Sequence, residues 1–278
     1  MSAGYAYRLG LIGAGNMGAA LLRGFLQQEQ LAPAEALVAE LDAARREAVA
    51  GELGASAAAE AREVAEQCEI VLLAIKPQHL PKLLDSLQES LFARPGQLVV
   101  SIAAGVTLGR LRELIGREGA LVRVMPNILC TVGESASAFA CNAAVSAEQR
   151  ARVRELLGSV GVAVEVEEKL LDAVTGLSGS GPAFCAVFCE ALADGGVAAG
   201  LPRAVAVKLA AQTLLGTGRW VLEQGPPAQL KDAVTSPAGT TIAGLEALEQ
   251  GGLRAAAFQA VVAAARRSVE LGKDSGKG

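Results

Sequence analysis

Apolar positions in the first 167 residues fall into short runs separated by stretches with a helical repeat. Leu9–Ile12, Ala36–Glu40, Ile70–Ile75, Leu98–Ser101 and Leu121–Met125 have the length and apolar density of buried strands. Helical patterns run from the glycine segment after Ile12 through about Leu26, then over Ala43–Leu53, His79–Leu91 and Ala147–Leu157. Val162–Val166 is expected as a last strand on the far side of the sheet. Alternation of this kind predicts βαβ units around a parallel sheet.

After Glu167 the strand signals stop. Pro182–Ala199 and Pro202–Gln224 are long helical patterns with proline in the first turn, where its missing N–H costs nothing. Gly200 punctuates their junction, Pro226-Pro227 breaks the chain, and Thr240–Glu249 and Leu253–Leu271 are expected as further helices on either side of Gly251-Gly252. The terminal residues 273–278 are expected to fray. No internal repeat is visible. The expected architecture is an α/β, doubly wound dinucleotide-binding domain over residues 1–167, followed by an all-helical substrate and dimerisation domain over residues 168–278.

Composition sharpens this. Hydrophobic residues make up 51% and charged residues 19%, which marks a folded chain. Aromatics are only 3%, so Ala, Leu and Val must fill the core. The Ala-rich helices after residue 182 imply a face buried against a second copy, a dimer at least. A net charge of −4 without any basic run argues against a nucleic-acid partner. No uninterrupted apolar run approaches the ~18 residues of a membrane span, and the sequence passes into its first strand without a signal-like segment, so a soluble, cytoplasmic protein is expected. Five cysteines without framework spacing, a single histidine (His79) and no Cys-x-x-Cys read as buried free thiols and not as a metal site, although Cys185 and Cys189 lie one helical turn apart.

Gly13-Ala14-Gly15-Asn16-Met17-Gly18 matches G-x-G-x-x-G between a strand and a helix, the context in which the pattern marks a dinucleotide site. Gly13 permits the tight turn, Gly15 lets a pyrophosphate approach the backbone, Gly18 lets helix pack on strand, and the helix N-terminus offers free N–H groups. Glu40 ends the second strand at the distance expected of the acid that binds the adenosine ribose; the alternative is a solvated glutamate beside Arg45 and Arg46. Lys76-Pro77-Gln78 and Ser101-Ile102-Ala103-Ala104-Gly105 follow strands at their carboxyl ends, where doubly wound folds bind ligands, and Lys76 reads equally well as a loop lysine. Gly176-Leu177-Ser178-Gly179-Ser180-Gly181-Pro182 and Thr235-Ser236-Pro237-Ala238-Gly239-Thr240-Thr241 each precede a long helix, placing hydroxyls and flexible backbone where a carboxylate could bind or where Ser and Thr simply cap.

Together with Arg123-x-Met125-Pro126-Asn127, Thr175 before the first of these segments, and Glu190-Ala-Leu-Ala-Asp194, these motifs resemble the pyrroline-5-carboxylate reductase family from the first strand to the last helix. The resemblance implies a Rossmann-type domain, reduction of 1-pyrroline-5-carboxylate to proline by hydride transfer from NADH or NADPH, and a dimer through the helical domain, often assembled into a decamer. It implies that the substrate carboxylate lies on the loop Ser236 to Gly239, Thr240 and Thr241, with the Thr241 hydroxyl near the ring nitrogen. Glu168 matches a position contacting the substrate amine, and Val234 one lining the imine pocket. Ile75, Lys76, Pro77, Ala103 and Ala104 match positions lining the cofactor, alongside Gly13, Ala14, Gly15, Asn16, Met17, Gly18 and Glu40.

The chain departs from the family at several places. Ile128-Leu129 stand where Thr-Pro is usual, Ala61 and Ala233 where asparagines occur, and Glu40 where members preferring the phosphorylated cofactor have a small polar residue. Glu40 therefore favours NADH. Ala238 replaces a glycine, so its backbone is expected to avoid positive φ. A protonated imine is already electrophilic, so neither metal nor strong base is required, and positioning carries the catalysis. A β-hydroxyacid dehydrogenase is the nearest rival, but Cys185 occupies the place of its lysine. A serine hydrolase needs Gly where Ser180 stands. A non-catalytic nucleotide sensor is the remaining alternative.

Overall fold

Adjacent residues of strand β4 (Cys68–Leu73) point into two different cores, Leu72 into one and Val71 and Leu73 into the other. That two-residue alternation, with nearly every position buried, is what a parallel strand covered on both faces requires. The computed structural model describes residues 4–274, and among them eight strands form one sheet in the order β3-β2-β1-β4-β5-β6-β7-β8. The first six are β1 (Tyr7–Ile12), β2 (Ala36–Ala39), β3 (Ser56–Ala58), β4, β5 (Leu98–Ser101) and β6 (Ala120–Met125), paired in parallel throughout. Strand β7 (Ser135–Cys141) then runs antiparallel to β6, and the edge strand β8 (Gly161–Glu165) runs parallel to β7, so the sheet is mixed at this edge instead of parallel throughout.

The intervening helices are α1 (Asn16–Gln27), α2 (Ala43–Leu53), α3 (Ala61–Gln67), α4 (Leu80–Leu87), α5 (Leu108–Ile115) and α6 (Ala147–Gly158). Leu21 and Phe25 of α1 and Leu156 of α6 fill one core, whereas Val64 of α3, Leu84 of α4 and Leu111 of α5 fill the other. Helices thus cover both faces. The strand order reverses between β1 and β4, and register places Ile12 beside both Ala39 and Leu73, so the loops after β1, β2 and β4 emerge level with one another at the carboxyl edge.

Beyond β8 the chain is helical: α7 (Leu171–Val174), α8 (Gly181–Ala198), α9 (Arg203–Gln224), α10 (Pro227–Ala233), α11 (Thr240–Gln250) and α12 (Leu253–Asp274). A π turn over Thr175–Gly179 joins α7 towards α8, so residues 168–198 form one helical stretch. This corrects the expectation of a flexible loop at residues 176–182. The hydroxyls of Thr175 and Ser178 donate to the carbonyls of Leu171 and Val174, four residues back, so they serve their own helix and not a ligand. By length and composition the same stretch is apolar enough to cross a membrane. The last four residues, part of the expected frayed tail, lie outside the described residues.

The chain divides into two compact units, residues 1–180 with 263–278, and residues 181–262. The second unit has a very small core: Ala193, Ala206 and Ala210, with Cys189 and Val197 packed on it. Gly196 lets α8 and α9 approach closely, since a Cβ there would stand 3.2 Å from Ala206 Cβ. Meanwhile Val187, Leu209, Leu215, Leu222 and Phe258 are exposed. Cys185, expected buried, is exposed too, because it lies on a face of α8 that its own unit leaves uncovered.

Candidate active site

The glycine-rich loop has the geometry its sequence implies. Gly13 holds φ +99°, with the Ala74 carbonyl 2.7 Å from where a Cβ would stand, and a Cβ on Gly18 would lie 2.4 Å from the Gly13 carbonyl oxygen. Above Gly15, in contrast, space is open. The Ala19 N–H donates to the Gly15 carbonyl at 2.9 Å, so the three N–H groups before it have no acceptor in the helix. Among the described residues no side chain caps this N-terminus, and no acidic residue lies in its first turn. Loop and helix end therefore fit a pyrophosphate.

Glu40 closes over the same loop. Its Oε2 accepts the Ala14 N–H at 2.9 Å and its Oε1 the Asp42 N–H at 3.3 Å. Arg46 donates through Nη1 to the Glu40 carbonyl oxygen at 3.3 Å, while Arg45 is exposed. The carboxylate that follows β2 is thus tethered to the fingerprint and is not turned to solvent. Beside it Leu41 is fully exposed.

After β4, Lys76 is exposed and precedes a 3-10 turn that Pro77 opens, and Ile75 packs against Gly13. Of the residues after β5, Ala103 is buried in the second core and Ala104 is exposed. The loop ends at Gly105, with φ +76°, where a Cβ would stand 3.3 Å from the Cα of Gly272 on α12.

Glu168 is held on one side only. Its Oε1 accepts the Leu108 N–H at the start of α5, at 2.6 Å, and lies 3.4 Å from Nη1 of the buried Arg123. Among the described residues nothing meets Oε2. Arg123 also faces Asp172 at 4.0 Å, and Asp172 accepts the Ser268 hydroxyl of α12 at 2.7 Å. Arg123, Asp172 and Ser268 had no assigned role in the sequence. The signal for Arg123 was its place, one charged residue inside an otherwise apolar strand.

In the helical unit, Thr240 opens α11 after Gly239 as N-cap. The Gly239 N–H donates to the Ser236 carbonyl at 3.1 Å, closing a turn over Ser236-Pro237-Ala238-Gly239. Proline second and a left-handed residue third is the type II pattern, and Ala238 indeed has φ +55°. The expectation that Ala238 avoids positive φ is therefore wrong: turn closure outweighs a left-handed cost of roughly 1–2 kcal/mol. Ala238→Gly should relieve that strain while loosening the unfolded chain by roughly 0.4–1 kcal/mol, so its melting temperature should hold or rise slightly. Ala238→Val should instead lower the melting temperature, and equal melts for the two variants would contradict the assignment.

Thr213, Thr217 and Thr235 all turn their hydroxyls back to carbonyls four residues earlier. Thr240 and Thr241, in the first turn, have no helical carbonyl behind them, and their hydroxyls are unpartnered among the described residues. The α11 N-terminus carries neither a side-chain cap nor a first-turn acid, and its first intrahelical N–H is that of Ala243. Val234, just after α10, is exposed. Burial pushes the thiol of Cys68 up to about 12 and raises that of Cys130, so neither is a nucleophile.

A doubly wound sheet, an open phosphate loop with an acid at the second strand, and a following helical unit define a dinucleotide-dependent oxidoreductase. A family described as pyrroline-5-carboxylate reductase dimerisation matches residues 168–271, and one described as NADP oxidoreductase coenzyme F420-dependent matches residues 8–105. The pyrroline-5-carboxylate reductase of Synechocystis is 48% identical over 96% of this chain and 98% of its own, and that of Escherichia coli 39% over the same shares. Among solved structures, a pyrroline-5-carboxylate reductase from Coxiella burnetii superposes with a TM-score of 0.90 at 30% identity, covering 96% of this chain and 98% of that one. A Plasmodium falciparum pyrroline carboxylate reductase with NADP bound gives 0.84 at 31%, covering 97% and 100%. The chain belongs to the pyrroline-5-carboxylate reductase family.

Proposed function

We propose that the chain reduces 1-pyrroline-5-carboxylate to L-proline, the last step of proline biosynthesis, with a reduced nicotinamide dinucleotide. The observation that carries the assignment of residues is the uncapped α11 N-terminus with its unpartnered Thr241 hydroxyl. Free N–H groups and a positive helix end suit the substrate carboxylate. Gly239, Thr240 and the Ser236 loop hold it, Val234 borders the ring, and the Thr241 hydroxyl meets the ring nitrogen. Glu168, by the family resemblance, contacts the substrate amine, and its Oε2 is the oxygen it has to offer.

Gly13, Gly15, Gly18 and the N–H groups of Asn16 and Met17 hold the pyrophosphate, Glu40 the adenosine ribose, and Ile75, Lys76, Pro77 and Ala104 the nicotinamide side. Ala103, buried in the core, contributes backbone only. The bound cofactor supplies the hydride to the imine carbon. The electron pair of the C=N double bond passes to nitrogen, which keeps its proton and ends as a secondary amine. Thr241 can hold a hydrogen bond to nitrogen throughout, as its positive charge disappears. The test is oxidation of the reduced cofactor on addition of pyrroline-5-carboxylate, with proline as product; cofactor oxidation without proline would defeat the proposal.

The exposed apolar faces of the 181–262 unit and its three-alanine core call for a second copy, in line with the dimerisation match over the same residues. Burial in the same dimer would cover the apolar helical stretch at 168–198, and the chain is read as a cytoplasmic enzyme. Light scattering at micromolar concentration should give at least a dimer, with decamers built from dimers as the larger form. A fully active monomer would contradict this.

A further inference from the structure

Strand β6 ends in Arg123-Val124-Met125-Pro126-Asn127, and the backbone stays extended to Asn127, at φ −135° and ψ 168°. Residues 123, 125 and 127 therefore share one face. All three meet the same piece of chain, residues 168–180. Arg123 lies 3.4 Å from Glu168 and 4.0 Å from Asp172. The Met125 methyl sits so close to Gly179 that a Cβ there would stand 2.6 Å from it. Asn127 donates through Nδ2 to the Ser178 carbonyl at 2.9 Å and is itself buried.

The sheet thus grips this stretch at its beginning, through an ion pair, and at its end, through an amide and a close packing contact. The charges are unequal: one guanidinium faces two carboxylates, so the cluster is one positive charge short. A cationic substrate nitrogen at the unpartnered Oε2 of Glu168 supplies it. We propose that Arg123 and Asn127 are positioning residues of the reductase, which hold segment 168–180 so that Glu168 presents Oε2 to the substrate nitrogen. This rests on the reading of Glu168 as a substrate contact.

The test is a double-mutant cycle on the full-length enzyme, with KM values for pyrroline-5-carboxylate and for the nicotinamide cofactor measured separately. Glu168→Gln alone should raise the substrate KM about tenfold, as for loss of a charge-assisted contact. Arg123→Gln should do the same and leave the cofactor KM within about twofold, yet add little in the Glu168→Gln background. Arg123→Lys keeps a charge in the buried site and so protects folding, but loses the fork, and should fall between wild type and Arg123→Gln. Asn127→Ala should raise the substrate KM without moving that of the cofactor.

Effects that multiply in the double variant, or that raise both KM values alike, overturn the proposal and leave the reading of Glu168 standing. A substrate KM unchanged in Glu168→Gln removes that reading, and the proposal falls with it.

Discussion

Replacing Thr241 with alanine is expected to cut turnover by roughly tenfold to a hundredfold while leaving cofactor affinity nearly intact. The size follows from one hydrogen bond to a group whose charge changes during reaction, about 1–3 kcal/mol. The split between the two effects follows from placement: Thr241 belongs to the helical unit and the phosphate loop to the other. Its hydroxyl is also not engaged in holding the helix, unlike those of Thr213, Thr217 and Thr235, so the substitution removes no internal bond. Thermal melts of the variant should match wild type. Wild-type kcat in Thr241→Ala would remove this residue from the mechanism, and Thr241→Ser should restore most of the rate.

The second expected result is that NADH serves at least as well as NADPH, and that Glu40→Ser moves preference towards NADPH by about tenfold, ~1.4 kcal/mol. A carboxylate facing a 2′-phosphate is repulsive by ~1 kcal/mol or more even when solvated. The same group accepts charge-assisted hydrogen bonds from a free ribose hydroxyl. Glu40 cannot easily swing away, because the Ala14 N–H holds it at 2.9 Å. That tether adds a second consequence: Glu40→Ser also frees the loop, so affinity for both cofactors should fall while their ratio shifts. Glu40→Gln keeps an acceptor for Ala14 without the charge and separates the two effects. Arg46 stands on the Glu40 carbonyl and Arg45 is exposed nearby. If wild type prefers NADPH by tenfold or more, these arginines outweigh the carboxylate.

The strands that carry the cofactor loops were legible because they are buried on both faces and rich in Leu, Ile and Val. Strand β7 was not. Its sequence, Ser-Ala-Ser-Ala-Phe-Ala-Cys, holds no β-branched residue, and it is made a strand by pairing with both β6 and β8. Its buried Ser135 and Ser137 satisfy each other at 2.9 Å, a bond no sequence pattern announces. Helix α5 could have been read, since Leu108, Leu111 and Ile115 repeat at helical spacing behind the Thr107 cap. Strand β3 and helix α3 are simply short, at three and seven residues. At the site, the fingerprint and Glu40 were visible because a local loop makes them. The ion cluster around Arg123 was not, as its members lie 45 residues or more from it along the chain.

Helix α12 begins with the helical unit and ends with the nucleotide-binding one. A cassette exchange that transplants residues 1–180 alone therefore leaves part of its own unit behind. Asp172 loses the Ser268 hydroxyl, and the loop at Gly105 loses the backbone of Gly272 that lies against it. Chimeras between relatives, or a split of this enzyme into two separately expressed pieces, must carry residues 263–274 with the amino-terminal part, either as a second fragment or through circular permutation.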